Sequence, residues 1–118
     1  MITLIIPTTD NRDQLLQRAL NYYLDHKIKI IIVDGAKQSK KIKNKNVEYF
    51  HYPKLSVEER ILRAVKKTSN DFILISQDDD FINFPVLKKA LRVLKENKDI
   101  AWIGGDQIYF VKYFGYYL

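Results

Sequence analysis

The sequence contains no cysteine, few glycines (4) and prolines (3), and no long hydrophobic run. The lack of cysteine excludes disulfides, cysteine-ligated zinc and thiol catalysis, and it favours the cytoplasm over secretion. The opening hydrophobic run, residues 2–6, is too short for a signal-peptide core, and nothing else approaches the length of a membrane span. With 118 residues, 47% hydrophobic and 29% charged, the chain is expected to form one globular domain over residues 1–118.

Acidic residues are outnumbered by basic ones, which gives a formal net charge of +6. Much of the excess lies in residues 37–45, a stretch that holds five lysines. The composition favours a solvated loop, and the alternative is a phosphate-attracting patch for nucleic acid or an anionic membrane surface. Because the stretch has no arginine and no aromatic residue, we predict no nucleic-acid partner and retain a peripheral membrane contact.

Apolar runs alternate with residues at helical spacing along most of the chain. The runs predict five strands, which are residues 2–6, 28–33, 47–52, 72–75 and 100–103. The spacing predicts helices over 15–24, after 56 and after 84. Asp10 or Asn11 is the expected N-cap of the first helix, and Ser56 with Glu59 matches a capping box for the second. This order predicts an α/β fold with a mostly parallel sheet and helices on both faces.

The helices are expected to present one apolar face each. For the second helix this face is Val57, Ile61, Leu62 and Val65, and for the third it is Leu87, Ala90, Leu91 and Leu94. Residues 106–118 are crowded with aromatic side chains and carry little charge. This aromatic tail is interpreted as an edge strand, a homo-oligomer contact or the beginning of a truncated continuation.

Polar residues follow the predicted strands at the end of the sheet where ligands bind in α/β proteins. They are Thr8-Thr9-Asp10, Asp34, Asp78-Asp79-Asp80 and Asp106. Two carboxylates about 4 Å apart repel by roughly 4 kcal/mol at an effective dielectric constant of 20. Solvation, protonation or a divalent cation relieves that repulsion, and oxygen ligands suit Mg²⁺ or Mn²⁺. Asp78 and Asp80 can face one ligand while Asp79 turns away; alternatively, all three cap a loop in water.

Three segments, in order, resemble the donor-binding half of GT-A fold, family-2-like glycosyltransferases. They are 2–12, with Pro7-Thr8 followed by Asn11-Arg12; 30–34, an apolar strand that ends in aspartate; and 56–81, a helix, a strand and a D-x-D turn. The resemblance covers about residues 1–105. It implies a GT-A, Rossmann-like fold and glycosyl transfer from a nucleotide-sugar donor to an acceptor, which would be a glycan or a lipid-linked sugar.

The resemblance also implies roles for individual residues. Pro7, Thr8 and Asp34 would line the base and ribose, Asp78 would meet the ribose, and Arg60 would reach a phosphate. Mn²⁺ or Mg²⁺ would be held by Asp80, with Asp78 as a second metal ligand. The full set of expected nucleotide-binding residues is Pro7, Thr8, Thr9, Arg12, Asp34, Arg60, Asp78 and Asp79. The catalytic base is unidentified, and Asp106 is the nearby candidate.

Two other classes of function stay open at this point. One is a different metal-dependent phosphoryl or nucleotidyl enzyme. Several folds of that class require acidic residues after the first strand, where this chain has Pro7-Thr8-Thr9. The other is a non-catalytic nucleotide-binding or assembly protein, which the aromatic tail favours. A cytoplasmic location, at the membrane surface if the lysines contact lipid, fits all three.

Overall fold

The structure is a computed structural model that describes residues 2–108, 112–113 and 116–117. The chain forms two compact units, Met1–Asn83 (unit 1) and Phe84–Leu118 (unit 2), and each is described by itself. Unit 1 contains β1 (Ile2–Thr8), α1 (Asp13–Leu24), β2 (Lys29–Asp34), β3 (Val47–His51), α2 (Val57–Lys67) and β4 (Phe72–Ile75). Unit 2 contains α3 (Phe84–Glu96), β5 (Lys112–Tyr113) and β6 (Tyr116–Tyr117).

The four strands of unit 1 form one parallel sheet in the order β3-β2-β1-β4. The central pair aligns Thr8 with Asp34, so their side chains leave the sheet at the same end. Asp34 is in turn aligned with His51 of β3. The predicted α/β fold with a mostly parallel sheet is confirmed, and the carboxyl ends of the strands converge as that fold requires.

Both faces of the sheet are buried. On one face, Ile5, Ile31 and Val33 pack with Ala64 of α2. Because side chains alternate along a strand, Leu4, Ile6, Ile30 and Ile32, all fully buried, point to the other face. Helix α1, which buries Leu16, Ala19, Leu20 and Tyr23, is the helix of unit 1 that is left to cover it.

The N-cap of helix α1 lies one or two residues later than predicted. The cap is Arg12, which makes no side-chain capping hydrogen bond, rather than Asp10 or Asn11. Asn11 has a φ of 61°, a left-handed conformation that asparagine tolerates better than most residues. The Asp10 carboxylate instead accepts a hydrogen bond from the backbone NH of Lys37 at 3.1 Å. The turn at Asn11 therefore separates β1 from α1 and leaves Arg12 at the start of the helix.

Helix α2 confirms the capping box and corrects the predicted apolar face. The Ser56 hydroxyl accepts from the Glu59 NH, and the Glu59 carboxylate accepts from the Ser56 NH. Ile61 and Val65 of the predicted face pack against the core, but the most buried residues of the helix are Arg60 and Ala64. Val57 and Leu62, also predicted for this face, are 38% and 53% exposed. The shift arises because the helix turns its Arg60–Ala64 side to the sheet, so that Leu62 lies on the solvent side.

The predicted strand at residues 100–103 does not form. Residues 100–108 have no strand pairing in the structure, and the Trp102 side chain is 77% exposed. A four-residue apolar run is an ambiguous strand signal, and a strand forms only where a neighbour supplies ladder hydrogen bonds. Here the Ile100 NH donates instead to the Asn97 carbonyl at 3.2 Å, closing a turn after α3.

Unit 2 consists of helix α3 and a short pair of strands. The half-buried residues of α3 include the predicted face of Leu87, Ala90, Leu91 and Leu94, although no residue of this helix is fully buried. Strands β5 and β6 form a short antiparallel pair. The predicted homo-oligomer contact of the aromatic tail stays a prediction, and three of its six aromatic residues, Tyr109, Phe110 and Phe114, lie outside the described residues. Among the described residues, no helix is both long and apolar enough to cross a membrane.

Candidate functional site

The acidic turn, Asp78-Asp79-Asp80, lies just beyond the carboxyl end of β4. Asp78 is 2% exposed and is held by two elements of unit 1. The Thr8 hydroxyl, at the end of β1, donates to Asp78 Oδ2 at 2.7 Å. The Arg12 Nε donates to both carboxylate oxygens at 2.8 Å, and Arg12 Nη2 also donates to Oδ1. Both oxygens of Asp78 are therefore satisfied by the protein itself.

Arg12 neutralises part of the charge of the turn. Its Nη2 also lies 3.0 Å from Asp79 Oδ2, so one guanidinium serves two carboxylates. Hydrogen bonding to Asp78 raises the pKa of Arg12 above its ordinary value, against an opposing effect of burial. With Arg12 included, the three carboxylates carry a formal charge of −2 rather than −3. The repulsion expected from the sequence is thus partly relieved without any metal ion.

The surroundings of the Asp80 carboxylate differ from those of Asp78 and Asp79. Its carboxylate makes no hydrogen bond or ion pair with any residue among those described. Burial, and then the charges of Asp79 and Asp78, raise the pKa of Asp80 above its ordinary value. A half-buried carboxylate with a raised pKa and no partner gains most from an added cation.

Two tyrosine hydroxyls fix the backbone after Asp80. The Tyr23 hydroxyl donates to the Asp80 carbonyl at 3.1 Å and accepts from the Ile82 NH at 3.2 Å. It also lies 3.0 Å from Ser76 Oγ, and Tyr22 donates to the Ile82 carbonyl at 2.7 Å. This role of Tyr23 was missed by sequence reasoning, because a sequence pattern does not show where the hydroxyl of a buried tyrosine ends.

Asp34, at the end of β2, forms the second buried carboxylate of the site. It is fully buried and accepts from Lys40 Nζ at 2.7 Å, from Tyr49 OH at 2.6 Å and from the Ala36 NH at 2.8 Å. Burial alone would raise the pKa of Asp34, but these hydrogen bonds, with the one from Lys40 foremost, hold it below its ordinary value. Burial and the bond to Asp34 raise the pKa of Tyr49 to about 12.

Lys40 and Tyr49 were missed by sequence reasoning. Lys40 is one of five lysines in residues 37–45, and nothing in the pattern distinguishes it from the others. Tyr49 points to the Asp34 side only because β3 pairs with β2 in this register, aligning Tyr49 with Ile32. Its hydroxyl also accepts from the Lys40 NH at 2.9 Å. Both residues would have required the strand register before they could be found.

Arg60 is buried against the backbone at the same strand ends. Its Nη1 donates to the Thr8 carbonyl at 2.6 Å and to the Val33 carbonyl at 3.0 Å. A Cβ placed on Gly35 would lie 2.7 Å from Arg60 Cζ, so glycine leaves the space that the guanidinium fills. Arg60 thus ties α2 to the ends of β1 and β2, and its predicted phosphate contact stays a prediction.

The other predicted site residues are placed as follows. Pro7 is half-buried in β1, and Thr9, the first residue after that strand, is exposed. Asp106 is exposed in unit 2, and the strand that was expected to position it is absent from residues 100–108. The structure therefore brings Thr8, Arg12, Asp78 and Asp79 into direct contact, while the catalytic role of Asp106 stays a prediction.

The donor set restricts how a divalent cation fits the acidic turn. Within the described part of the chain, no group of three His, Asp or Glu side chains is arranged to hold a metal ion. Asp78 is committed to Arg12 and Thr8, so the turn offers one free carboxylate, that of Asp80. Mg²⁺ commonly uses one or two carboxylates together with substrate phosphates. The residues present fit a cation that arrives with a diphosphate, and they do not fit one held by the protein alone.

Comparisons with known proteins assign the family. Residues 3–117 match the family model for Glycosyl transferase family 2. Searches of curated proteins and of solved structures each found no match. The match spans nearly the whole chain, and the parallel sheet with its acidic turn after β4 agrees with the resemblance seen in the sequence. The chain belongs to glycosyltransferase family 2.

Proposed function

We propose that the chain binds the nucleotide-sugar donor of a glycosyl transfer reaction at the strand ends of unit 1, with a divalent cation on Asp80. The observation that carries this proposal is the contrast within the acidic turn. Asp78 is buried and fully hydrogen-bonded, whereas Asp80 has no partner among the described residues and a raised pKa. Membership of a glycosyltransferase family supplies the reaction class.

The charges of the turn suit a diphosphate only when a cation is present. Three carboxylates and one guanidinium leave a formal charge of −2, which repels a diphosphate on its own. Mn²⁺ or Mg²⁺ held by Asp80 would neutralise negative charge on the departing nucleoside diphosphate. The protein contributes a fixed turn, which Tyr23 and Arg12 hold in place before the donor arrives.

The remaining donor contacts follow from position. Thr8 and Asp34 lie side by side at the ends of β1 and β2, and we assign them to the base and ribose together with Pro7. We assign Asp78 and Asp79 to the ribose, and Thr9, which is exposed directly after the end of β1, to the nucleotide as well. In this arrangement Lys40 covers Asp34, so a base that reaches the Asp34 carboxylate must displace the Lys40 ammonium.

The partners proposed for this site are a nucleotide-sugar donor and an acceptor hydroxyl of a glycan or a lipid-linked sugar. The catalytic base for that acceptor is unassigned. The absence of cysteine favours a cytoplasmic setting, and the lysines of residues 37–45 favour the membrane surface within it.

The test is a thermal-shift titration with Mn²⁺ and a panel of nucleoside diphosphates. We expect the melting temperature to rise only when cation and nucleotide are both present. The two are proposed to bind the folded protein together, and a ligand that binds only the folded state stabilises it. The Asp80→Asn variant should lose this rise. Asp71→Asn, which makes the same change at an exposed aspartate of unit 1, is the matched control and should keep it.

Two outcomes would oppose the proposal. If no nucleotide raised the melting temperature in the presence of Mn²⁺, the proposal of donor binding would be wrong. An equal rise in melting temperature in the Asp80→Asn variant would show that the cation does not depend on Asp80. Hydrolysis of the nucleotide sugar, followed separately by the release of free sugar, then distinguishes a donor-consuming enzyme from a binding protein.

A further inference from the structure

Parallel strands β2 and β3 are joined by a crossover, residues 35–46, that contains no helix. It carries all five lysines of residues 37–45 and no acidic residue. Lys40 turns inward to Asp34, while Lys37, Lys41, Lys43 and Lys45 are exposed. None of these four lysines forms an ion pair with any residue in the described ranges. The crossover, called here the lysine loop, is therefore a patch of uncompensated positive charge.

The lysine loop is attached to the fold at several points. Near its start, the Lys37 NH donates to the Asp10 carboxylate at 3.1 Å. In its middle, the Lys40 ammonium binds Asp34 at 2.7 Å and the Lys40 NH binds Tyr49 OH at 2.9 Å. At its end, the Asn46 carbonyl accepts from the Ile30 NH at 2.9 Å. These attachments fix the backbone of the loop, which lowers the entropy lost when its lysines bind an anion.

A groove runs between the lysine loop and α1. Its volume is about 360 Å³, within the size range of small-ligand sites. One wall, from α1 and the start of β3, is largely apolar and contains Leu16, Leu20, Leu24 and Val47 together with Asp13 and Gln17. The other wall, from the lysine loop, carries Lys40, Lys41 and Lys43, of which Lys40 lies 3.4 Å from Asp13. An occupant that complements both walls has an anionic group beside an apolar one. Phospholipids have this character, whereas nucleic acid would leave the apolar wall without a partner.

We propose that the lysine loop and its groove dock unit 1 on an anionic phospholipid surface, with the exposed lysines on lipid phosphates and the groove beside a lipid head group. The argument rests on charge complementarity: four unpaired lysines lie on one loop, next to an apolar wall. A cluster of four or more lysines at a membrane surface is the usual size for binding anionic lipid. The proposal goes beyond donor binding and does not depend on it, because none of the four exposed lysines touches Asp34, Asp78 or Asp80.

The docking test is co-sedimentation with vesicles of phosphatidylglycerol and phosphatidylcholine in equal parts, compared with vesicles of phosphatidylcholine alone. We expect binding to the anionic vesicles only, and weaker binding as salt rises, because the Debye length is about 8 Å at physiological ionic strength. Each lysine near such a surface contributes about 1 kcal/mol, so Lys41→Gln, Lys43→Gln and Lys45→Gln together should weaken binding about 100-fold.

The control removes the same charge elsewhere. Lys88, Lys89 and Lys98 are exposed lysines of unit 2, and changing all three to glutamine lowers the net charge by the same amount. This control should bind anionic vesicles within a few-fold of the parent chain. Equal weakening in both triple variants would overturn the proposal, because it would show attraction by net charge alone.

Two further results would also overturn it. The parent chain could fail to sediment with anionic vesicles at low salt. Alternatively, a DNA or RNA duplex could bind more tightly than the vesicles and lose that binding in the loop variant, which would assign the loop to nucleic acid. Retention of the cooperative unfolding transition in both triple variants confirms that they fold.

Discussion

The two buried carboxylates at the strand ends of unit 1 are held by different parts of the chain. Asp78 is bound by Thr8 at the end of β1 and by Arg12 at the start of α1. Asp34 is bound by Lys40 from the lysine loop and by Tyr49 from the neighbouring strand. The partners of Asp78 therefore belong to regular elements, whereas the cation that pairs with Asp34 belongs to a loop.

This difference indicates which part of the candidate site is able to rearrange when a ligand binds. Displacing Arg12 from Asp78 would disturb the start of a helix, so the acidic turn is expected to keep its shape when a donor binds. Displacing Lys40 from Asp34 requires rearrangement of a loop whose other lysines are exposed. Asp80, two residues from Asp78, has neither kind of partner among the described residues, which leaves its carboxylate available for the proposed cation.

Arg12→Ala should destabilise unit 1 by about 2–3 kcal/mol, because it leaves the buried Asp78 carboxylate without its charged donor. Arg18→Ala is the control, since Arg18 is an exposed arginine of the same helix whose guanidinium lies over the Phe81 ring at 5.3 Å. The control should cost less than about 1 kcal/mol. Denaturant unfolding of both variants gives the comparison, and equal losses would show that Arg12 acts only as a helix-surface residue.

A double-mutant cycle on Lys40→Met and Asp34→Asn should give a coupling of roughly 1–2 kcal/mol. The pair is direct, with 2.7 Å between Lys40 Nζ and Asp34 Oδ2, and its environment is largely buried. Lys41→Met with Asp34→Asn is the matched control cycle, because Lys41 is the adjacent but exposed lysine. Coupling near zero in the first cycle would mean that the loop does not restrain Asp34.

Tyr49→Phe should cost about 1 kcal/mol, the usual contribution of one hydrogen bond, here the bond to Asp34. Because the folded pKa of Tyr49 is raised to about 12, its contribution is present below about pH 10 and is lost as pH rises through 12. Tyrosinate absorbance, followed during alkaline titration, should show one late-titrating tyrosine fewer in Tyr49→Phe. An unchanged titration curve would contradict the assignment.

The smallest effect concerns acid stability. Since the folded pKa of Asp34 is lowered, its contribution is present above the unfolded value of about 3.9 and is lost as pH falls through the folded pKa. The difference in unfolding free energy between the parent chain and Asp34→Asn should therefore shrink as pH falls below about 4. A difference that stayed constant from neutral pH down to pH 2 would show that Asp34 acts through shape rather than charge.

Much of unit 1 could be predicted from its sequence, because its strands are apolar runs that end in Thr8, Asp34 and the acidic turn. The capping box at Ser56 was predicted for the same local reason. What could not be predicted depends on long-range pairing: Lys40 and Tyr49 reach Asp34 only through the β2–β3 register. The run at residues 100–103 looked like a fifth strand because composition cannot show whether a neighbouring strand is present.

The acidic turn also depends on a long-range contact that its local sequence does not show. The resemblance predicted that Asp80 holds the cation and that Asp78 meets the ribose and serves as a second metal ligand. The structure gives them different surroundings, because Arg12, 66 residues earlier in the chain, binds only the first of them and Asp79. A local motif therefore indicated the position of the candidate site, and a distant side chain determines which of its carboxylates lacks a partner among the described residues.

The most direct test of this account is Mn²⁺ binding, followed by the electron paramagnetic resonance signal of the free ion. With one free carboxylate, the parent chain should bind Mn²⁺ weakly on its own and at least about tenfold more tightly when a nucleoside diphosphate that it recognises is present, which corresponds to about 1.4 kcal/mol. Asp80→Asn should lose that increase, and Asp71→Asn should keep it. Tight Mn²⁺ binding without nucleotide, or an undiminished increase in Asp80→Asn, would contradict the account.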